Sequence, residues 1–326
     1  MTLTYVWRLF VSCFASFCLT GLALTLAVWA LSPALIRFAK SLNPRRGAGL
    51  LFAVRIFPTI AGLAVVGLLC LPSYLWLEPQ IGIERVGVFC LLVAICGFVL
   101  LAAGLSFGGF AFVQSIRFVC ECRQNGRSSP LNHGEDAAMV LCCDAPLVAL
   151  AGVLRPRLLI SRAALQALSQ DQVRLAVRHE RSHQAAWDNF KRLLFVSMPV
   201  PFPFRSRFRA IERHWAKLSE WAADDEATGL RAGDSVLLAE ALLRLARMAP
   251  YPARPQLMSL FNSESEDFAE RIERLLRSNA PPHSDSPNRF RRFENRLWVI
   301  VLLLAIPLAN PATLSFVHEC MEQLVR

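Results

Sequence analysis

Four long apolar blocks, roughly 9–34, 50–77, 86–113 and 297–317, constrain this chain more than any other feature. Each can cross a hydrocarbon core of about 30 Å as a helix. In lipid the backbone must satisfy its own hydrogen bonds, and segments of this length and composition do so as helices. The composition agrees, with 54% hydrophobic and only 18% charged residues, more apolar than an ordinary soluble domain. The expected fold is therefore a mainly α membrane protein with four transmembrane helices. Its divisions are a three-helix transmembrane region at 1–117, a soluble domain at 118–294, and a fourth helix with a short external tail at 295–326. The first block reads as a retained anchor, because its apolar run exceeds a signal-peptide core and no small-residue cleavage site follows. In the second block Arg55 is expected to snorkel toward the preceding basic loop, and Pro58 to be tolerated as a kink.

Charge gives the orientation. Arg37, Lys40, Arg45 and Arg46 separate the first two blocks, whereas Glu78, Glu84 and Arg85 lie between the next two. Arg117, Arg123 and Arg127 follow the third block, and Arg289, Arg291, Arg292 and Arg296 precede the fourth. The positive-inside rule places the soluble domain in the cytoplasm and the N-terminus outside. The net charge of +10 is largely accounted for by these flanks, so no direct nucleic-acid binding is expected. Of ten cysteines, Cys13, Cys18, Cys70, Cys90 and Cys96 fall in apolar blocks, where they serve as small apolar residues. Cys120, Cys122, Cys142 and Cys143 fall on the reducing side without the spacing of a structural zinc site.

Within the soluble segment, short apolar runs at 139–143, 147–151 and 158–160 read as strands after a Gly/Ser/Asn-rich loop near 124–134. Ser169 with Asp171 and Gln172 reads as a helix start, continued by Val173, Leu175, Ala176 and Val177 and running on past Trp187. Pro199, Pro201 and Pro203 stop regular structure. Further helices are expected at 205–230, ending at Gly229 or Gly233, and at 234–247 and 266–276.

The first of these helices carries His179-Glu180-Arg181-Ser182-His183. This HExxH spacing sets two imidazoles on one helix face with a carboxylate beside them, the layout of a zinc hydrolase. A catalytic zinc takes three protein ligands and keeps one position open. The best third candidate is Glu220, with Asp224 one turn later on the same face as an acceptor for a ligand histidine. His214 reads as an exposed polar residue in preference to an oxyanion stabiliser. Arg178, Arg181 and Ser182 are polar for such a helix and predict less burial on that side.

The stretch Gly152-Val153-Leu154-Arg155-Pro156-Arg157-Leu158-Leu159-Ile160, then His179-Glu180-x-x-His183 with Asp188-Asn189, then Glu220-x-x-x-Asp224, resembles the BlaR/MecR-type integral membrane zinc metallopeptidases. It is similar, more distantly, to the HtpX and CAAX-prenyl-protease group of gluzincins. The resemblance implies a cytoplasmic α+β gluzincin-like domain inserted between the third and fourth membrane helices of a bacterial inner-membrane protein. It also implies one Zn2+ per chain held by His179, His183 and Glu220, Glu180 as catalytic base, and Asp224 as the acid that steadies the site. The implied substrate is a protein, a transcriptional repressor or the chain itself, cut in signal transduction. The antibiotic-sensing members carry a penicillin-binding sensor after their last span. About nine residues follow Val317 here, so direct β-lactam sensing is not expected. Two alternatives share the motif: an HtpX-like quality-control protease, and a catalytically silent scaffold or signal transducer that keeps the fold.

Overall fold

Three of the apolar blocks become helices longer than a bilayer is thick. The computed structural model describes residues 3–78, 86–130, 137–143, 145–248, 265–277 and 310–325. Helix α1 is Leu3–Ser41 and α2 is Pro44–Val65; a π-turn, Val66–Cys70, leads on into α3, Leu71–Leu77, and α4 is Val88–Asn125. These three paths are long and apolar enough to cross a membrane, and between 22% and 28% of their most apolar stretches is buried by protein. Outward side chains such as Leu26, Phe57 and Phe98 therefore need lipid as their solvent. With 39 residues, α1 runs about 58 Å, roughly twice the hydrocarbon thickness. The surplus length of α1 packs with α2 against α7 and α8.

Local chemistry sets the joints. Asn43 Oδ1 accepts from the Arg45 amide at 3.1 Å and Pro44 opens α2, giving a tight α1–α2 turn. The helix stays regular through Pro58; the irregular turn precedes Pro72, where the missing N–H interrupts the ladder and a wider turn absorbs the loss.

Beyond α4 comes a small mixed sheet: β1 (Gly126–Pro130), β2 (Ala137–Leu141), β3 (Val148–Ala151) and β4 (Arg157–Ser161), in the order β1-β2-β4-β3. β2 and β4 pair in parallel, and the outer strands add antiparallel. β1 falls where the sequence predicted only a loop. An edge strand ending in proline needs neither an apolar face nor a complete set of donors, so polar Gly126–Pro130 carries no strand signal.

The helices that follow are α5 (Arg162–Ala167), α6 (Gln170–Ala185), α7 (Asp188–Ser197), α8 (Arg205–Thr228), α9 (Ala232–Met248), α10 (Ser265–Leu276) and α11 (Pro311–Val325). Ser169 and Gln172 form a reciprocal capping box at the start of α6. Trp187 adopts a left-handed backbone, φ 58°, so α6 and α7 are two helices where the sequence reads as one. Gly229, at φ 56°, ends α8 as expected. Residues 297–309 of the fourth apolar block and the polar linker at 281–287 lie outside the described residues.

Two of the cores among the described residues position the site. Phe195, Phe208, Ile211, Trp215 and Leu218 from α7 and α8 pack on Val28, Ala39, Ala48 and Leu51 of α1 and α2. Leu175, Ala227, Leu238, Ala239, Ile272 and Leu275 join α6, α8, α9 and α10. The end of α7 also presses into α4. A Cβ at Gly104 would stand 2.3 Å from the Ser197 carbonyl oxygen, and one at Gly108 would stand 2.1 Å from Ser197 Oγ.

Arg55 does not snorkel. Its buried guanidinium pairs with Glu212 of α8 and donates from Nη2 to the carbonyls of Phe195 (3.1 Å) and Met198 (2.9 Å). Those carbonyls belong to the end of α7, where helical partners run out, so one cation caps α7 and pins α8 to a membrane helix.

Candidate metal centre

Several elements converge on the HExxH helix. His179 and Glu180 point from α6 into a cleft of about 240 Å³, joined there by His183, by Glu220 from α8, by Arg271 from α10 and by Val148 and Leu150 from β3. Strand β3 is at the sheet edge, and its Leu150 amide donates to Glu180 Oε2 at 3.1 Å. At the start of α7, Asn189 Nδ2 donates to the carbonyl of Gly152 at 2.8 Å. The strand is thereby fixed to both motif-bearing helices.

The imidazoles are oriented by outer carboxylates. His183 Nδ1 donates to Asp188 Oδ2 at 2.7 Å, and His179 Nδ1 lies 3.0 Å from Asp224 Oδ1. Asp188 is held in turn by Ser219 Oγ at 2.5 Å and Lys191 Nζ at 3.1 Å. With both Nδ1 atoms turned to carboxylates, the two Nε2 atoms face each other at 3.2 Å. Glu220 completes the group: Oε2 is 3.5 Å from His179 Nε2, and Oε1 is 3.5 Å from His183 Nε2.

These spacings test whether zinc fits. Zinc–nitrogen and zinc–oxygen bonds of about 2.0–2.2 Å at tetrahedral angles put ligand atoms about 3.3–3.6 Å apart. The two Nε2 atoms stand 3.2 Å apart and each lies 3.5 Å from a different Glu220 oxygen, close to that edge length, with one donor atom from each of the three residues within 4.8 Å of the others. Two Nε2 lone pairs at 3.2 Å repel unless a proton or a cation lies between them, and the pinned Nδ1 atoms stop either ring from turning away. The donor set fits zinc.

Arg271 is the residue that sequence reasoning missed. Its guanidinium grips Asp224 with Nε (2.7 Å) and Nη2 (2.6 Å) and reaches Glu220 Oε2 with Nη1 (2.8 Å). Burial would raise both carboxylates, but Arg271 overrides it, holding Glu220 well below the carboxylate range and Asp224 below its ordinary value. Burial and Arg271 press His179 toward the neutral form, yet Asp224 and Glu220 hold its pKa up at about 9, so an incoming metal would displace a proton there. Against burial, His183, followed by Lys191 and Ser219, holds Asp188 at about 2. Burial pushes Glu180 up, toward the range where a carboxylate both takes and returns a proton.

The structure thus brings His179, Glu180, His183, Glu220 and Asp224 together. Asp188 stood in the motif region without a role; its place just after the helix break, five residues beyond His183, is the signal that could have given it one. His214 is half-buried outside the cleft lining, and Arg178 and Arg181 are exposed as expected, while Ser182 is buried.

No protein-family model matches the chain, and no curated protein does. Among solved structures, Ste24p from S. mikatae aligns over 82% of this chain and 98% of its own, with 14% identity and a TM-score of 0.29, too low to establish a shared fold.

Proposed function

We propose that the chain is a membrane-bound, zinc-dependent endopeptidase that hydrolyses peptide bonds of a protein substrate. The observation that carries this reading is the convergence of His179 Nε2, His183 Nε2 and the Glu220 carboxylate, with both rings pinned through Nδ1. Such a centre would hold one zinc per chain. When bound, the zinc supplies the Lewis acidity that makes water a nucleophile at neutral pH. Glu180 takes the proton from that water as it attacks the peptide carbonyl, then hands it to the departing amine nitrogen. Asp188 keeps the His183 lone pair aimed into the cleft, and Asp224 does the same for His179. The outer edge of β3 lies beside the cleft, and once its Leu150 amide is released from Glu180 it offers an extended substrate segment a strand to pair with.

The basic loops around the soluble segment favour a cytoplasmic site, in a bacterial inner membrane as the family resemblance implies. The same resemblance favours a repressor or the chain itself as substrate. The test is metal content and proteolysis of the detergent-purified chain beside Glu180→Gln. Zinc in both with cleavage only by the wild type is expected. Zinc in both with cleavage in neither would favour a silent scaffold, and absence of zinc from both would refute the ligand set.

A further inference from the structure

A second histidine–carboxylate group lies at the opposite end of the membrane helices. Glu78, at the end of α3, and His318 and Glu322, on α11, bring one donor atom each within 4.8 Å of one another. His318 Nε2 is 3.6 Å from Glu78 Oε2 and 3.5 Å from Glu322 Oε1. Both separations exceed a hydrogen bond and match the tetrahedral edge length that the first centre shows. His318 and Glu322 are one helical turn apart, the spacing that lets two side chains share an ion.

The group is built, not incidental. Arg8 Nη2 holds the other Glu78 oxygen at 2.8 Å, which leaves Oε2 directed at His318. Ser73 Oγ donates to the Leu314 carbonyl at 2.7 Å, docking α11 on α3. Met321 packs with Tyr5, Cys70 and Tyr74. The Arg8 and Glu78 side chains are 7% and 4% exposed, and His318 Nδ1 is buried without a hydrogen-bond partner among the described residues. The Glu78 and Glu322 carboxylates both converge on His318 Nε2 in this enclosed place, and a divalent cation held between the three would relieve their like-charge repulsion. Glu322, 38% exposed, leaves a path for the ion to enter.

We propose that Glu78, His318 and Glu322 form a second divalent-cation site of zinc-like preference, which clasps α11 to α1 and α3. Arg8 is 33 residues from the α1–α2 turn that supports the catalytic half, about 50 Å along the helix, so the two centres cannot share an ion. The site is independent of the proposed peptidase activity.

The experiment is zinc content by elemental mass spectrometry on the detergent-purified full chain, equilibrated with zinc and desalted. Two zinc per wild-type chain are expected, one in His179→Ala and one in His318→Ala/Glu322→Gln. One zinc in the wild type, lost in His179→Ala, would overturn the second site and leave the peptidase reading standing. One zinc lost in His318→Ala/Glu322→Gln but kept in His179→Ala would do the reverse. Two zinc persisting in His318→Ala/Glu322→Gln would also overturn the proposal. Should the double variant fail to fold, Glu322→Gln alone keeps the side-chain shape. It is expected to weaken one of the two zinc ions about tenfold and leave the other unchanged, and two unchanged affinities would overturn the site.

Discussion

Replacing Asp188 by asparagine isolates what the outer carboxylate does for the metal. Asp188 accepts from three donors, His183 Nδ1 and Ser219 Oγ on Oδ2 and Lys191 Nζ on Oδ1. Asparagine has one acceptor oxygen, so two orientations compete. With the amide NH2 toward His183, the ring must shift its proton to Nε2 and lose its ligand lone pair, as in the wrong-tautomer effect known from catalytic triads. With the oxygen toward His183 and Ser219, the NH2 meets Lys191, whose side chain is 21% exposed and can swing into water. The second orientation therefore wins. His183 keeps its tautomer and loses only the charge behind it, which places Asp188→Asn at the mild end of the 10–100-fold range for outer-partner loss, about tenfold in zinc affinity or ~1.4 kcal/mol. Asp188→Ala removes the acceptor and frees the ring, and belongs near the 100-fold end. Competition against a chromophoric chelator measures both. Equal affinity in Asp188→Asn and wild type, or a greater loss in Asp188→Asn than in Asp188→Ala, would refute the reasoning.

Arg55→Met strands Glu212 and the carbonyls of Phe195 and Met198, and should cost about 3–5 kcal/mol, read as a lower unfolding midpoint in detergent; Arg55→Met/Glu212→Met should recover part of it. Gly104→Ala forces a methyl against the Ser197 backbone and should cost about 1–3 kcal/mol, whereas Gly109→Ala, with nothing within 4 Å, should be neutral in the same melt. Arg271→Gln removes the cation that balances Glu220 and Asp224 in the metal-free protein, so zinc should raise the unfolding midpoint more in this variant than in the wild type. An equal zinc-induced shift in both would count against that role for Arg271.

What the sequence made legible follows the range over which each signal acts. The first three apolar blocks are unbroken runs within single segments, the α6 capping box and the i, i+4 histidines are patterns within one or two helical turns, and the structure has helices at each of them. Glu220 and Asp224 were found because they too share a helix face, one turn apart. Arg271 carried no such pattern: it is one of 35 Lys and Arg residues, and what distinguishes it is the fold that sets α10 beside α8 and α6. Arg55 was misjudged for the same reason. A lone cation in an apolar block snorkels when its neighbours are lipid, but here α7 and α8 bring a carboxylate and two unpaired carbonyls to it. β1 escaped notice because an edge strand obtains its hydrogen bonds from a neighbour and asks little of its own side chains.

The two halves of the candidate centre are fastened to different parts of the molecule. The histidines ride on α6, which rests against α8, α9 and the sheet edge, and Glu180 is tied to β3 itself. Glu220 rides on α8, and the neighbouring face of that helix, through Ile211, Trp215 and Leu218, is packed on the overhanging ends of α1 and α2. The third donor is therefore positioned by the membrane helices as well as by the soluble layer, and the first two by the soluble layer alone. Metal–ligand distances tolerate only about 0.2 Å. A slide of about 1 Å between α8 and α6, small for packed helices, is enough to take Glu220 out of bonding range. Arg271 opposes such a slide. From α10 it grips Asp224 and Glu220 on α8 and lies 3.3 Å from His179 Nε2 on α6, so the residue least visible in the sequence bridges the two halves.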